Sequence, residues 1–476
     1  MLTNLDFLQI GKPWPPPEEG ERIRQYEVNR GLFEGDHGRY YAEQFKRIQR
    51  VIGNFDKVVS YEVAVNYQKL ISLKIADLLL GDPPKINAGD SGSPEQETVN
   101  QIAETTDLHN TAYETAIDVS RYGDGLFYVY KDESGKGIID VTQPQIWFPI
   151  VSPDNVKRIQ YHVLAWTYDI GRKTFLRAQI HSKGRYTERE YLIDAGIIKE
   201  QTVNDQVIQT GLDDFAIVQV PNVLTSDRVH GMDDYQDIDS IVSEIEVRIG
   251  QIARILDKHA APSVQGPAAA LERDPVTGEW KLKMGNYFAR DSKDDAPVEY
   301  VTWDGQLEAN FKMIEQLVNF LHAISEMGSS LLGDKEGGDG TAPSGTSLRF
   351  RLISPLAKVR RIAMRFRPAL IKAIKLCSEL GGSGIVNLQD VPVSVTFRNG
   401  LPDDPKETAE IMATRTGNKP TMSVKRALKT YDDMDDETAE SEIEEIADED
   451  AQSNPVSAGN FPMAGANTEP EDGEEE

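Results

Sequence analysis

The chemistry most clearly indicated by the sequence is attraction of phosphate by a run of positive charge. Residues 346–378 contain no acidic side chain and nine basic ones: Arg349, Arg351, Lys358, Arg360, Arg361, Arg365, Arg367, Lys372 and Lys375. At helical spacing, Lys358, Arg361 and Arg365 share a broad face with Lys372 and Lys375. Such a face is either the solvated side of an amphipathic helix or a surface that faces phosphate. Because the whole chain is very acidic, the uniform positive sign favours phosphate.

A glycine-rich stretch, residues 333–345, comes just before this basic segment. It has five glycines and, apart from Pro343, no apolar side chain larger than alanine, which predicts a loop. It is not a nucleotide-binding P-loop, because its lysine, Lys335, is not followed by Ser or Thr and does not open a helix.

Catalytic and metal-binding patterns are not found in the sequence. The seven histidines are scattered, there is no His-Glu-x-x-His, and Cys377 is the only cysteine, so no metal site is predicted. Paired carboxylates are expected by chance in so acidic a chain. The sequence therefore predicts no catalytic residues, no metal and no cofactor.

Two long amphipathic helices are predicted to frame the segment before the loop. The first covers residues 233–261, with Asp233 as its N-cap and Pro262 beyond its end. The second covers residues 306–332. Both repeat apolar residues at steps of three and four, which predicts amphipathic helices. Because only a compact insert joins them, they are predicted to form an antiparallel pair. The residues predicted to pack this pair are Ile245, Ile252, Ile314 and Leu321.

Residues 262–305, between the two helices, lose the helical period and have short β-like pieces around a turn. The side chains predicted to face a partner here are Trp280, Lys281, Lys283 and Arg290. For the aromatic side chains the alternatives are stacking on bases and the more common role in the core of a small β module or between subunits. For the basic side chains the alternative is to face DNA.

Charge and composition bound the remaining function classes. The net charge is −27, but residues 431–476 hold eighteen acidic and no basic side chains, so the rest carries only −9. A basic surface that binds nucleic acid is therefore compatible with the acidic net charge of the whole chain. The single cysteine predicts no intramolecular disulfide, and no apolar run is long enough to cross a membrane. Residues 447–476 are polar and acidic, which predicts disorder.

This order of parts resembles the portal proteins of tailed double-stranded-DNA bacteriophages, in particular the siphophage portal family. Three stretches carry the resemblance: Gly-Met-Asp-Asp at 231–234, residues 344–358 at the start of the basic helix, and residues 66–84. The Tyr-Gly-Asp at 122–124, between a predicted helix and strand, also recurs in portals. The family often has Ser where this chain has Asp233, and either residue serves as an N-cap.

The resemblance implies an α+β portal fold with a β-rich and helical wing, a two-helix stem, a small β-containing clip, a long tunnel helix and a helical crown. The implied ranges are an extended N-terminal arm at 1–20, the wing at 21–232 with a return strand at 381–402, stem helices at 233–261 and 306–332, the clip at 262–305, the tunnel loop at 333–345, the long basic helix at 346–380, the crown at 403–446 and a disordered acidic tail at 447–476.

The function implied is that of a non-enzymatic subunit of a ring, expected to hold twelve copies, at one capsid vertex. Its axis would pass double-stranded DNA during packaging and ejection. Further partners implied are the terminase large subunit, head-completion or adaptor proteins, and major capsid and scaffolding proteins, with no membrane. The location implied is the virion, and the host cytoplasm during assembly. The residues assigned to the channel are Lys335, Arg349, Arg351, Lys358, Arg361 and Arg365.

Two other classes remain open from the residues alone. One is a nuclease-like DNA-processing enzyme that uses the basic helix. The other is a structural head-tail adaptor that does not guide DNA.

Overall fold

The computed structural model shows an α+β chain, as predicted, that divides into two units, Met1–Leu401 and Pro402–Glu476. The residues it describes are 1–48, 50–52, 57–59, 61–260, 264–265, 271–278, 280–282, 299–300, 307–332, 350–382, 384–398, 405–417, 420–432, 434 and 436–453.

The first unit begins with a largely helical region. Its elements up to residue 122 are 3₁₀ helices at Asp6–Leu8 and Pro17–Glu19, α1 (Gly20–Glu34), α2 (His37–Tyr40), α3 (Ala42–Phe45), a 3₁₀ helix at Lys46–Ile48, β1 (Arg50–Ile52), β2 (Lys57–Val59), α4 (Tyr67–Leu80), β3 (Lys85–Ala88), α5 (Pro94–Thr105) and α6 (Leu108–Tyr122). The side chain of Asn66 caps α4 by accepting a hydrogen bond from the backbone N–H of Lys69 at 2.9 Å.

Eight strands follow in two antiparallel sheets. They are β4 (Asp124–Lys131), β5 (Gly137–Val141), β6 (Trp147–Ser152), β7 (Asn155–Ile170), β8 (Lys173–Ser182), β9 (Arg185–Asp194), β10 (Ile197–Gln209) and β11 (Ile217–Pro221). The larger sheet has the strand order β10-β9-β8-β7-β6, and the smaller has the order β11-β4-β5.

The N-terminal arm covers one face of the larger sheet. Leu2, Phe7 and Leu8 are buried against it, and the rings of Trp14 and Phe148 lie 5.1 Å apart. The backbone N–H of Trp14 also donates to the carbonyl of Gly196 at 2.9 Å. The arm therefore supplies a small second core to a sheet that would otherwise expose apolar side chains.

The long helices form the rest of the first unit. Its remaining elements are α7 (Asp239–Ala260), β12 (Val264–Gln265), β13 (Leu271–Arg273), β14 (Trp280–Leu282), β15 (Glu299–Tyr300), α8 (Leu307–Ser325), α9 (Gly328–Leu332), α10 (Ile353–Glu379) and β16 (Val393–Thr396). Helices α7 and α8 pack together. Antiparallel pairs form between β12 and β15, between β13 and β14, and between β16 and β3.

Both predicted long helices are shorter than their sequence periods suggested. Helix α7 begins at Asp239 rather than at 233, after turns in which Asp233 Oδ1 accepts from the N–H groups of Tyr235 and Gln236 at 2.9 Å. The second helix stops at Ser325, because Glu326 adopts a left-handed φ of 60°. Such a conformation ends an α-helix, and α9 then starts at Gly328.

The main core of the first unit joins the helices to the smaller sheet. Fully buried members from α4, α6, β4 and α10 include Ile71, Val119, Phe127 and Phe366. The rings of Phe127 and Phe366 meet edge to face with centroids 5.8 Å apart. This contact anchors the middle of α10 on the sheet.

The second unit consists of three helices, α11 (Pro405–Thr416), α12 (Val424–Tyr431) and α13 (Asp436–Ser453). Ala427, Leu428 and Ala439 are buried between α12 and α13. Helix α13 continues through residues 447–453, which the sequence had assigned to a disordered tail. Residues 454–476 lie outside the described part of the chain.

Candidate nucleic-acid interface

Helix α10 turns its apolar side to the core of the first unit. Val359, Phe366, Leu370 and Ile374 are all buried, as their spacing predicts. Burial of this stripe fixes the rotation of the helix about its own axis. The rotation in turn decides which basic side chains reach solvent.

Lys358 does not reach solvent, which corrects its predicted place on the exposed basic face. Its Nζ lies 2.8 Å from Asp234 Oδ1 and donates to the carbonyl of Ser325 at 2.9 Å. The side chains of Lys358 and Asp234 are only 8% and 7% exposed. A buried ammonium needs such partners to remain charged. We call this contact the Lys358 clasp, because it joins α10 to the turn before α7 and to the end of α8.

Arg361 and Arg365 are partly engaged by neighbouring groups. Arg361 Nη2 lies 2.6 Å from Glu326 Oε1, in a pair that remains exposed, and Arg365 donates to the carbonyl of Leu224 at 3.3 Å. Exposed ion pairs contribute roughly 0–1 kcal/mol. Arg361 therefore remains accessible to a phosphate, while Arg365 is less so.

The side of α10 that is open to solvent carries Arg360 and Arg367, which the predicted channel set omits. Both are exposed, and the exposed Met364 lies between them. The guanidinium of Arg367 lies 5.8 Å from the ring centroid of Phe397. Arg360 and Arg367 are seven residues apart, about two helical turns, and this spacing in the sequence could have predicted that they share one side of the helix. The predicted face instead included Lys358, which is buried.

The last two basic residues of α10 contact groups within the subunit. Lys372 lies 2.7 Å from Asp214 Oδ2, and Lys183 lies 3.0 Å from Asp214 Oδ1. Burial would raise the pKa of Asp214, but the hydrogen bonds from the two lysines outweigh burial and lower it to about 2. Lys375 donates to the carbonyl of Gln389 at 2.9 Å.

Several predicted site residues lie outside the described part of the chain: Lys335, Arg349, Lys283 and Arg290. Trp280 and Lys281 lie on β14, where they pair in register with Arg273 and Glu272 of β13. Arg351 is exposed just before α10. The roles assigned to all of these residues remain predictions.

The predicted packing residues of the two long helices face the interior of the subunit. Ile245, Ile252 and Leu321 are buried, and Ile314 packs against the main core. A different set on α8 is exposed, comprising Phe311, Met313, Phe320 and Ile324. The apolar surface available to another molecule is therefore on the other sides of α8.

Metal and membrane sites were also sought. Within the described ranges, no cluster of three or more His, Cys, Asp or Glu side chains is placed to hold a metal ion. Cys377 is buried, and burial raises its pKa to about 12. Among the described helices, none combines the length and the apolar character that a membrane span requires.

Comparison with known families identifies the chain. Residues 17–182 and 221–456 match the family described as phage portal protein, SPP1 Gp6-like. The match covers most of the chain, which therefore belongs to this family of phage portal proteins. Portal proteins are structural components of the capsid vertex that serve DNA packaging. No curated protein was found to be significantly similar to the chain. Residues 183–220, which include β9 and β10, lie outside the family match.

Proposed function

We propose that the protein forms a ring, expected to hold twelve copies, at one capsid vertex and that DNA passes along the ring axis during packaging and ejection. Family membership supports the portal role, and the exposed arginine side of α10 is the observation that supports contact with DNA. Arg360, Arg361 and Arg367 are repeated in every subunit of a ring, so even weak attraction per residue adds up.

The parts of the subunit take the following roles in this proposal. Residues 21–232 and 381–402 form the wing, α7 and α8 form the stem, and residues 262–305 form the clip. Residues 333–345 form the tunnel loop between the stem and α10. Residues 403–446 form the crown, with α13 extending beyond it to Ser453.

The proposed partners bind these parts at different stages of phage assembly. The terminase large subunit docks at the clip during packaging, through Trp280, Lys281, Lys283 and Arg290, and head-completion proteins replace it afterwards. Major capsid and scaffolding proteins contact the wing while the head assembles in the host cytoplasm. The mass of the assembled species tests the ring directly, since a stable monomer at working concentration would contradict it.

The channel must attract DNA without holding it. A protein that neutralises ~6–10 phosphates loses ~10³–10⁵ in affinity between low and moderate salt, which shows how strongly a full set of ion pairs would retain DNA. Contacts to phosphate also carry no direct sequence information. We therefore infer that the basic groups, including Arg349 and Arg351, act collectively, weakly and without base readout.

Removing the exposed arginines of α10 is expected to impair packaging while rings still form. Arg360→Gln with Arg367→Gln removes two positive charges per subunit from a solvent-facing side, so folding is expected to be unaffected. The measurement is packaged DNA per head and its dependence on salt. A matched control is Arg158→Gln with Arg172→Gln, two exposed arginines of β7 and the turn after it. Equal packaging by both double variants would assign α10 to packing between subunits instead.

Deleting residues 454–476 is expected to leave ring size unchanged. The deletion starts after α13 and removes mostly polar and acidic sequence, which has few large apolar side chains to bury. Native mass spectrometry of the truncated protein measures the outcome. Loss of assembly would mean that the deleted residues fold against the body of a subunit.

A further inference from the structure

A buried cluster of polar groups joins the first turns of α7 to the N-terminal helices. Its members are His37 of α2, Tyr41 of the turn before α3, Gln68 of α4, and Asp239 and Glu246 of α7. His37, Gln68 and Glu246 are fully buried, Tyr41 is nearly so, and Asp239 is partly buried. We call this set the α7 root cluster.

His37 bridges two acceptors. Its Nε2 lies 3.1 Å from the carbonyl of Leu32, and because a carbonyl only accepts, Nε2 carries a hydrogen. Its Nδ1 lies 2.6 Å from Glu246 Oε1, which also accepts from the backbone N–H of Val65 at 2.8 Å. When Nδ1 also carries a hydrogen, this contact is a charge-assisted bond between imidazolium and carboxylate.

The carboxylate of Asp239 accepts hydrogen bonds from uncharged side chains. Gln68 Nε2 donates to Asp239 Oδ1 at 3.0 Å and to the hydroxyl oxygen of Tyr41 at 2.7 Å. The Tyr41 hydroxyl donates to Asp239 Oδ1 at 3.3 Å. No lysine or arginine contact to this carboxylate is seen among the described residues.

The α7 root cluster holds more acceptor atoms than hydrogens to satisfy them. Gln68 Oε1 and Glu246 Oε2 are buried, and within the described part of the chain neither accepts a hydrogen bond. A buried acceptor without a donor has lost its hydrogen bonds to water without replacement, which is unfavourable. A proton added to a carboxylate of the cluster converts one acceptor into a donor, which reduces this excess of acceptors.

The surroundings of Asp239 and His37 also raise the pKa values of both groups. Burial raises the pKa of Asp239 to about 6, and the nearby Asp233 adds to the shift. Burial alone would lower the pKa of His37, but the hydrogen bond to Glu246 outweighs burial and raises it. The described titratable groups that face these two are each other, Glu246, Tyr41 and Asp233. Glu244, on another side of α7, contacts Arg47 and Arg248 instead.

We propose that the α7 root cluster is a proton-controlled latch that holds the start of α7 against α2 and α4, tightly in mildly acidic solution and more loosely as pH rises. For Asp239, whose folded pKa is raised, the penalty is absent at low pH and grows between about 3.8 and 6. For His37, the stabilisation is present below its ordinary pKa of about 6.5 and is lost as pH rises through its raised pKa. Both effects therefore loosen the latch as pH rises.

Amide hydrogen exchange of α7 in the assembled protein tests the latch. After correction for intrinsic exchange, the opening equilibrium of residues 239–250 is expected to be about tenfold larger at pH 7 than at pH 5, from the shift of Asp239 alone. Asp239→Asn is expected to remove this step. His37→Gln is expected to keep the step and to lose the further opening above pH 6.5.

Two further variants separate the latch from general pH effects. Asp118→Asn, on α6, removes another buried carboxylate whose pKa is raised to about 6 by burial, and it should leave the α7 step unchanged. Tyr41→Phe removes one donor to Asp239 and should move the step to higher pH. Exchange of α7 without a pH step, or a step that neither Asp239→Asn nor Tyr41→Phe alters, would overturn the proposal.

Discussion

Replacing Lys358 with methionine is expected to destabilise the first unit by about 3–5 kcal/mol, because it leaves Asp234 as an uncompensated buried charge. Asp234 Oδ2 already has no hydrogen-bond partner in the described structure, so it has no alternative donor at hand. For a unit of this size the loss corresponds to a fall in Tm of roughly 5–10 °C. Thermal unfolding followed by circular dichroism measures the effect.

Arg361→Met is the matched control for this prediction. It also removes a basic side chain of α10 from an ion pair, but the pair with Glu326 is exposed and is expected to contribute less than about 1 kcal/mol. Adding Asp234→Leu to Lys358→Met should recover much of the loss, since no buried charge remains. Similar stability of Lys358→Met and the native protein would mean that the Lys358 clasp adds nothing to the fold.

Phe320→Asp is expected to abolish ring assembly while the subunit still folds. Met313, Phe320 and Ile324 follow one side of α8 at steps of seven and four residues, and Phe320 is 57% exposed in the subunit. Burying a phenylalanine contributes about 1.5–3 kcal/mol, and an aspartate in its place would bring an unpaired charge into each interface. Native mass spectrometry measures assembly, and circular dichroism confirms folding.

Two control substitutions distinguish loss of an interface from loss of folding and from a general effect of an added surface charge. Ile245→Asp places a charge at a fully buried position of α7, so it is expected to prevent folding rather than assembly. Ile170→Asp changes an equally apolar residue in an exposed position of the larger sheet and should leave rings intact. Normal rings from Phe320→Asp would show that this side of α8 is not an interface.

A substitution on the opposite side of α8 allows a more specific test of ring assembly. Phe311 is also 57% exposed, and nine residues, or two and a half turns, place it across the helix from Phe320. A head-to-tail ring uses two different surfaces of each subunit. Phe311→Asp alone is therefore also expected to give monomers. A mixture of the two variants should give heterodimers and nothing larger, because only one intact interface remains.

The Lys358 clasp also bears on the proposed channel. It fixes α10 against the end of α8, immediately before the left-handed Glu326 and the short helix α9. The proposed tunnel loop leaves from α9 and returns to α10. Loss of the clasp is therefore expected to affect packaging as well as stability, whereas loss of Arg360 and Arg367 is expected to affect packaging alone.

The sequence by itself determined the type and order of most of these elements. Apolar residues at steps of three and four predicted the apolar side of α10 and the buried positions Ile245, Ile252 and Leu321. Ordered motifs between residues 66 and 358 were enough to indicate the portal family, which the family match confirmed. Such features depend on near neighbours along the chain, and a single sequence displays them directly.

Only the tertiary structure decided where α8 ends and which basic side chains of α10 face solvent. The apolar period of α8 continues past Glu326, but packing of Met327 and Leu332 into the core directs the chain into a separate short helix. Lys358 and Arg360 look alike in a run of positive charge. Lys358 is buried because Asp234, far away in sequence, offers a carboxylate at 2.8 Å. The energy of a buried charge depends on partners that only the folded chain brings together.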